Sequence, residues 1–89
     1  MMSDTKDPGE PIGRISHYYS HLSVAAIHLD APLTVGQRIR IKGHTTDLVQ
    51  TVESLEVEHR HVERAVPGED VALKVQDHVR DHDVIYAEP

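Results

Sequence analysis

Leu33-Thr34-Val35-Gly36-Gln37-Arg38-Ile39-Arg40-Ile41-Lys42-Gly43 is the stretch on which the fold turns. Between Gly36 and Gly43, Ile39 and Ile41 alternate with Arg38, Arg40 and Lys42. Period two sets both isoleucines on one face of an extended strand and the three cations on the other. Upstream, Ile12 to Tyr19 and Val24 to Leu29 read as strands, divided by the polar break Ser20 to Ser23. Asp30-Ala31-Pro32 ends the second, because proline has no N–H to give to a ladder. Downstream, Gly43-His44-Thr45-Thr46-Asp47 is a turn. Leu48 to His59 then reads as one long strand whose apolar positions slip phase between Val52 and Leu55, so a bulge or sharp bend is expected there. A helix over Leu48 to Val62 is the rival reading, but no i, i+3, i+4, i+7 stripe supports it. His61 to Ala65 is a short strand, and Pro67-Gly68 has the residues of a type II turn. Val71, Leu73 and Val75 alternate along another strand, Gln76 to Asp83 is a charged connector, and Val84 to Tyr86 is the last strand.

The chain has 89 residues, enough for one domain. A domain of this size buries only about 60–65% of the surface it exposes unfolded, which leaves room for one modest core and no deep cleft. There is no cysteine, phenylalanine or tryptophan, so the core must be built from Val, Ile, Leu and Ala with three tyrosines. The expected architecture is all-β: a small, closed, antiparallel barrel of six or seven strands over residues 12–89, behind a disordered lead-in at residues 1–11. Closure would remove the unpaired edges of a small open sheet. The formal charge of −6 lowers the expectation of general nucleic-acid binding, and eight histidines could cancel much of it near pH 6. No apolar run is long enough to span a bilayer, and residues 1–11 lack the apolar stretch of a signal peptide. The expectation is a cytoplasmic chain with no membrane partner.

In order, these signals resemble the second domain of elongation factor Tu and related translational GTPases. The resemblance is carried by Gly13-Arg14-Ile15, by Leu33 to Gly43, by Thr51 to Val57, by Ala65-Val66-Pro67-Gly68-Glu69-Asp70-Val71-Ala72-Leu73, and by Val79 to Val84. It runs from about Ile12 to Tyr86. It implies the closed translation-factor barrel, with Gly36, Gly43 and Gly68 at tight turns. It also implies a partner that is an RNA, such as the acceptor end of tRNA or ribosomal RNA, or else a protein of the translation apparatus. The chain is similar as well to free-standing elongation-factor-like proteins, and a similar barrel ends some collagenase-like peptidases. Two departures stand out. No Gly-x-x-x-x-Gly-Lys-Ser/Thr occurs, so no nucleoside triphosphate site is expected. His82 stands where the family often has glycine.

Among candidate binding residues, His17-Tyr18-Tyr19-Ser20-His21 is the most informative group. Alternation sends Tyr18 and Tyr19 to opposite faces, so one ring packs inward and the other, with His17 or His21, can stack on a base or hold a peptide. A tyrosine filling the barrel end is the competing reading. Arg38, Arg40 and Lys42, with His44 in the adjoining loop, form a local basic patch. It could meet phosphates, and the favoured alternative is pairing with the acidic row Glu53, Glu56 and Glu58 on a neighbouring strand. His59 and His61 would share one strand face with Glu63, which is too few ligands to assign a metal. His78 to Asp83 is read as a solvated connector. With no cysteine and no Gly-x-Ser-x-Gly, no nucleophile is expected, and no cofactor. Together with the basic row, the resemblance implies non-enzymatic binding of RNA or a translation protein through Tyr18, His17, His21, Arg38, Arg40, Lys42 and His44. The alternative is an accessory subunit that docks on an enzyme such as a collagenase-like peptidase.

Overall fold

The computed structural model describes residues 10–88, and every regular element among them is a strand. The strands are β1 (Pro11–Tyr19), β2 (Val24–Leu29), β3 (Leu33–Thr34), β4 (Arg38–Lys42), β5 (Asp47–Thr51), β6 (Leu55–Val57), β7 (Arg60–Val62), β8 (Arg64–Ala65), β9 (Asp70–Lys74) and β10 (Val84–Ala87). The expected disordered lead-in falls almost wholly outside the described residues, and Pro11 already opens β1.

Eight strands make one antiparallel sheet in the order β5-β4-β10-β1-β2-β9-β6-β7, and β3 with β8 forms a separate two-stranded ribbon. The all-β, antiparallel expectation holds. What is observed is a curled sheet, with β5 and β7 at its ends and no ladder between them among the described residues. A side chain spans part of that gap. The Gln50 amide, nearly fully buried on β5, donates from Nε2 to the carbonyl of Lys74 at 3.0 Å and accepts from the amide N–H of Gln76 at 2.9 Å. The ribbon is tied in by Val35 N–H to the Glu63 carbonyl at 2.9 Å and Gly36 N–H to the Val52 carbonyl at 2.8 Å.

More strands appear than the sequence suggested, because the expected strand over Leu48 to His59 breaks at Val52-Glu53-Ser54. The break lets both Val52 and Leu55 face the core, which is what their phase slip required. A second irregularity lies in β1. Ile15 pairs with Ile27 but His17 with Ala26, so Ser16 is a bulge whose hydroxyl donates to the Ala26 carbonyl at 3.1 Å. The bulge turns Tyr18 inward after Ile15.

The core is aliphatic, as composition demanded. Ile15, Ile27, Leu29, Ile39, Ile41, Leu55, Leu73 and Ile85 are wholly excluded from solvent. Each is worth roughly 1.5–3 kcal/mol relative to an exposed position. Gly68 takes φ 92°, with Glu69 N–H returning to the Val66 carbonyl, as a type II turn requires. Gly43 is needed for a different reason: a Cβ there would collide with the Asp83 carboxylate.

Candidate functional site

The cations of β4 lie on the outer face, while Ile39 and Ile41 are buried. Register places Lys42 beside Val84 and then Arg14, and Arg40 beside Tyr86. Arg14, which the sequence did not single out, thus joins the basic patch. Its signal was present only as a polar residue between Ile12 and Ile15.

The expected pairing of this row with Glu53, Glu56 and Glu58 is not what forms. Glu56 lies on β6, at the far side of the sheet order from β4. Arg40 instead grips Asp47 of the adjacent β5, with Nε to Oδ1 at 2.8 Å and a terminal nitrogen to Oδ2 at 3.1 Å. This hydrogen-bonded pair raises the Arg40 pKa and holds the Asp47 carboxyl below the usual carboxylate range. Arg38, Lys42 and His44 are exposed and make no ion pair among the described residues.

The second candidate group gathers where β1 outruns β10. Tyr18 is half-buried and packs edge-on to His78 with ring centroids 5.0 Å apart, while exposed His17 and Tyr19 meet edge-on at 4.4 Å. Tyr18 is therefore the inward ring. His21 sits in the exposed turn between β1 and β2. The connector expected to be solvated is partly docked. Val79 and Asp83 are buried, and Asp81 accepts the Tyr18 N–H at 3.0 Å and lies 3.9 Å from His17 Nδ1. Asp81 thus supplies the acceptor that a neighbouring strand would have provided. His82, in the glycine-like position, does adopt φ 76°, and its N–H donates to the Ile15 carbonyl at 2.8 Å.

The two groups are not brought together into one site. β10 lies between β1 and β4, and the Tyr18 cluster sits beyond the point where β10 ends its pairing with β1. His59 is also not on a strand face with His61. Glu58 and His59 are the two turn residues of the β6–β7 hairpin, both at positive φ (52° and 66°). His61 pairs across to Glu56 at 3.4 Å, and Glu63 lies past the end of β7. Among the described residues, no group of three or more His, Cys, Asp or Glu is placed to hold a metal ion.

Two shallow depressions mark the outer surface. One, of about 440 Å³, is lined by Arg14, Ile15, Ser16, His28, Asp30 and His82. The other, of about 520 Å³, crosses the outer face of β2 and β9 and includes Tyr19, Leu22, Ala26, Ala72, Glu56, Glu58 and Asp70. Sequence reasoning found neither, since each is assembled from strands that are distant in the chain.

Fold and surface define a small curled all-β module with shallow, polar-rimmed depressions. No family model matches the chain. It is 41% identical over 76 residues to an uncharacterised protease of Methanocaldococcus jannaschii, and 34% identical over 77 residues to a collagenase of Porphyromonas gingivalis. Each match takes in 84% of this chain but only 19% and 21% of those relatives, so the chain spans about a fifth of their length. Its fold is that of the C-terminal domain of a putative U32 peptidase from Geobacillus thermoleovorans, with TM-score 0.85 at 17% identity over the whole of both chains. A selenomethionine variant of that domain gives 0.82 at 18%, covering 86% of this chain and 98% of that one.

These likenesses overturn the kinship with translation factors. The relatives are called protease and collagenase, and the matching structures are the C-terminal domain of a putative U32 peptidase. The RNA and translation-protein reading, and the likeness to free-standing elongation-factor-like proteins, fall with it. The physical reason is that turn glycines and period-two alternation are what any small curled sheet demands. They report the backbone's needs and say nothing of the partner's.

Proposed function

We propose that the chain is a non-catalytic accessory module that works beside a collagenase-like peptidase. One observation carries the reading: the sequence match to proteases occupies a fifth of their length, a span the size of the solved peptidase C-terminal domain. Two features of the surface support a binding role over a cleaving one. Most of the large aliphatic residues are taken up by the core, and the polar candidates His17, His21, Arg38, Lys42 and His44 lie spread on exposed surface where water screens them. Catalytic groups that must shift their pKa values need convergence and exclusion of water.

The test uses the M. jannaschii protease with its matched segment deleted, alone, fused to this chain, and mixed with it. Gelatin and short peptides serve as substrates. The expected result is hydrolysis restored by the fusion and no hydrolysis by this chain alone. The proposal fails if the fusion hydrolyses no better than the deleted enzyme, or if this chain cleaves unaided.

A further inference from the structure

The depression over β2 and β9 has a construction that the accessory role leaves unexplained. Register across the outer face sets one transverse row, His61–Glu56–Ala72–Ala26–His17. The neighbouring row is Tyr19–Val24–Lys74. On the other side runs Arg14–His28–Asp70. The two alanines raise nothing above the sheet, so the floor drops between Tyr19 and Asp70. Tyr19 is 41% exposed and Leu22 is 56% exposed, and both stand at one end of this groove. Exposed large apolar side chains gathered at one concave place mark an interaction site more often than scattered ones do.

The rim is acidic. Glu56, Glu58 and Asp70 line it, and no Lys or Arg does. Glu56 faces His61, and Asp70 faces His28 at 2.9 Å. Glu58 has no ion-pair partner among the described residues. Two-residue hairpin turns of this hand favour Asn-Gly, because both positions need positive φ. This hairpin keeps Glu58-His59 instead, holding two non-glycine residues in the left-handed region on the groove's edge. An easier turn would lose both rim side chains.

We propose that this groove binds an extended peptide in which a Lys or Arg is flanked by small residues. The small residues lie over Ala26 and Ala72, an apolar neighbour packs on Tyr19 and Leu22, and the cation reaches Glu58. The occupant is a stretch of substrate polypeptide. That source rests on the peptidase-accessory reading, while the groove's preference does not.

The probes are fluorescein-labelled Gly-Ala-Arg-Ala-Gly and its Arg→Glu counterpart, titrated into the full chain by anisotropy at low and high salt. The Arg probe is expected to bind at least about tenfold more tightly than the Glu probe, with the difference shrinking in salt. Glu58→Asn/His59→Gly is expected to melt higher yet bind the Arg probe about threefold more weakly, the size of one exposed ion pair. Because that variant is the more stable protein, its weaker binding cannot come from unfolding. Ala72→Leu, which fills the floor, should abolish binding. Equal affinity for the two probes, or no loss in either variant, overturns the proposal. Probe binding without restored hydrolysis in the fusion refutes only the peptidase reading. Restored hydrolysis with no probe binding refutes only the groove.

Discussion

Replacing the β6–β7 turn residues, Glu58→Asn with His59→Gly, should stabilise the protein. In the native hairpin Glu58 has φ 52° and His59 has φ 66°. An L-residue in that region costs roughly 1–2 kcal/mol, from the approach of Cβ to the following carbonyl oxygen. Glycine at 59 removes the steric term but loses roughly 0.5–1 kcal/mol more backbone entropy on folding. Asparagine at 58 tolerates the conformation through its short polar side chain. Neither Glu58 nor His59 makes a side-chain hydrogen bond or ion pair among the described residues that the exchange would forfeit. The net gain is roughly 1–2 kcal/mol, or about 4–16 °C in Tm for a domain of this size. Urea and thermal melts followed by circular dichroism measure it, with His59→Gly alone giving the larger share. An unchanged or lower urea midpoint at constant m-value would show that the turn stores no strain, and the argument that its side chains are kept for binding would lose its footing.

Three further outcomes follow from the packing. Gln50→Ala deprives the Lys74 carbonyl and the Gln76 N–H of their partner across the sheet's gap, and should cost roughly 1–3 kcal/mol by urea melt, with Gln76 amide exchange accelerated. Gly43→Ala drives a methyl group into the Asp83 carboxylate and disturbs its bond from Arg80 N–H, costing roughly 1–3 kcal/mol. Adding Asp83→Gly should recover part of that loss. Asp47 carries a folded pKa lowered by Arg40, so the pair's contribution is fully present above the ordinary carboxylate value and fades as pH falls through the lowered one. Asp47→Asn should remove that acid-side slope from melts run between about pH 6 and pH 2, with the wild-type slope shrinking in high salt.

Much of the backbone was legible in one dimension. Ile39 and Ile41 against Arg38, Arg40 and Lys42 needed only period two to place them, and they lie as expected. The slip between Val52 and Leu55 foretold the break that separates β5 from β6. Pro67-Gly68 announced its turn through the demands of proline and glycine on φ. These signals are local, since each depends on residues within a few positions of one another. The disagreements lie in which strands pair and where the chain turns. Arg40 met Asp47 across the β4–β5 hairpin and not Glu56, because β6 takes its place at the far side of the sheet order from β4. His59 left its expected strand face because a hairpin had to turn at Glu58.

The chain's own residues therefore determined an all-β, aliphatic-cored module with a cationic face on β4, since alternation and turn chemistry act at short range. Only the tertiary structure decided that Gln50 bridges the sheet's gap, that Ser16 bulges to turn Tyr18 inward, and that Ala26 and Ala72 fall side by side beneath Tyr19 and Glu58. Pairing register joins positions far apart in the chain, and two alanines on different strands mean nothing until hydrogen bonds set them adjacent.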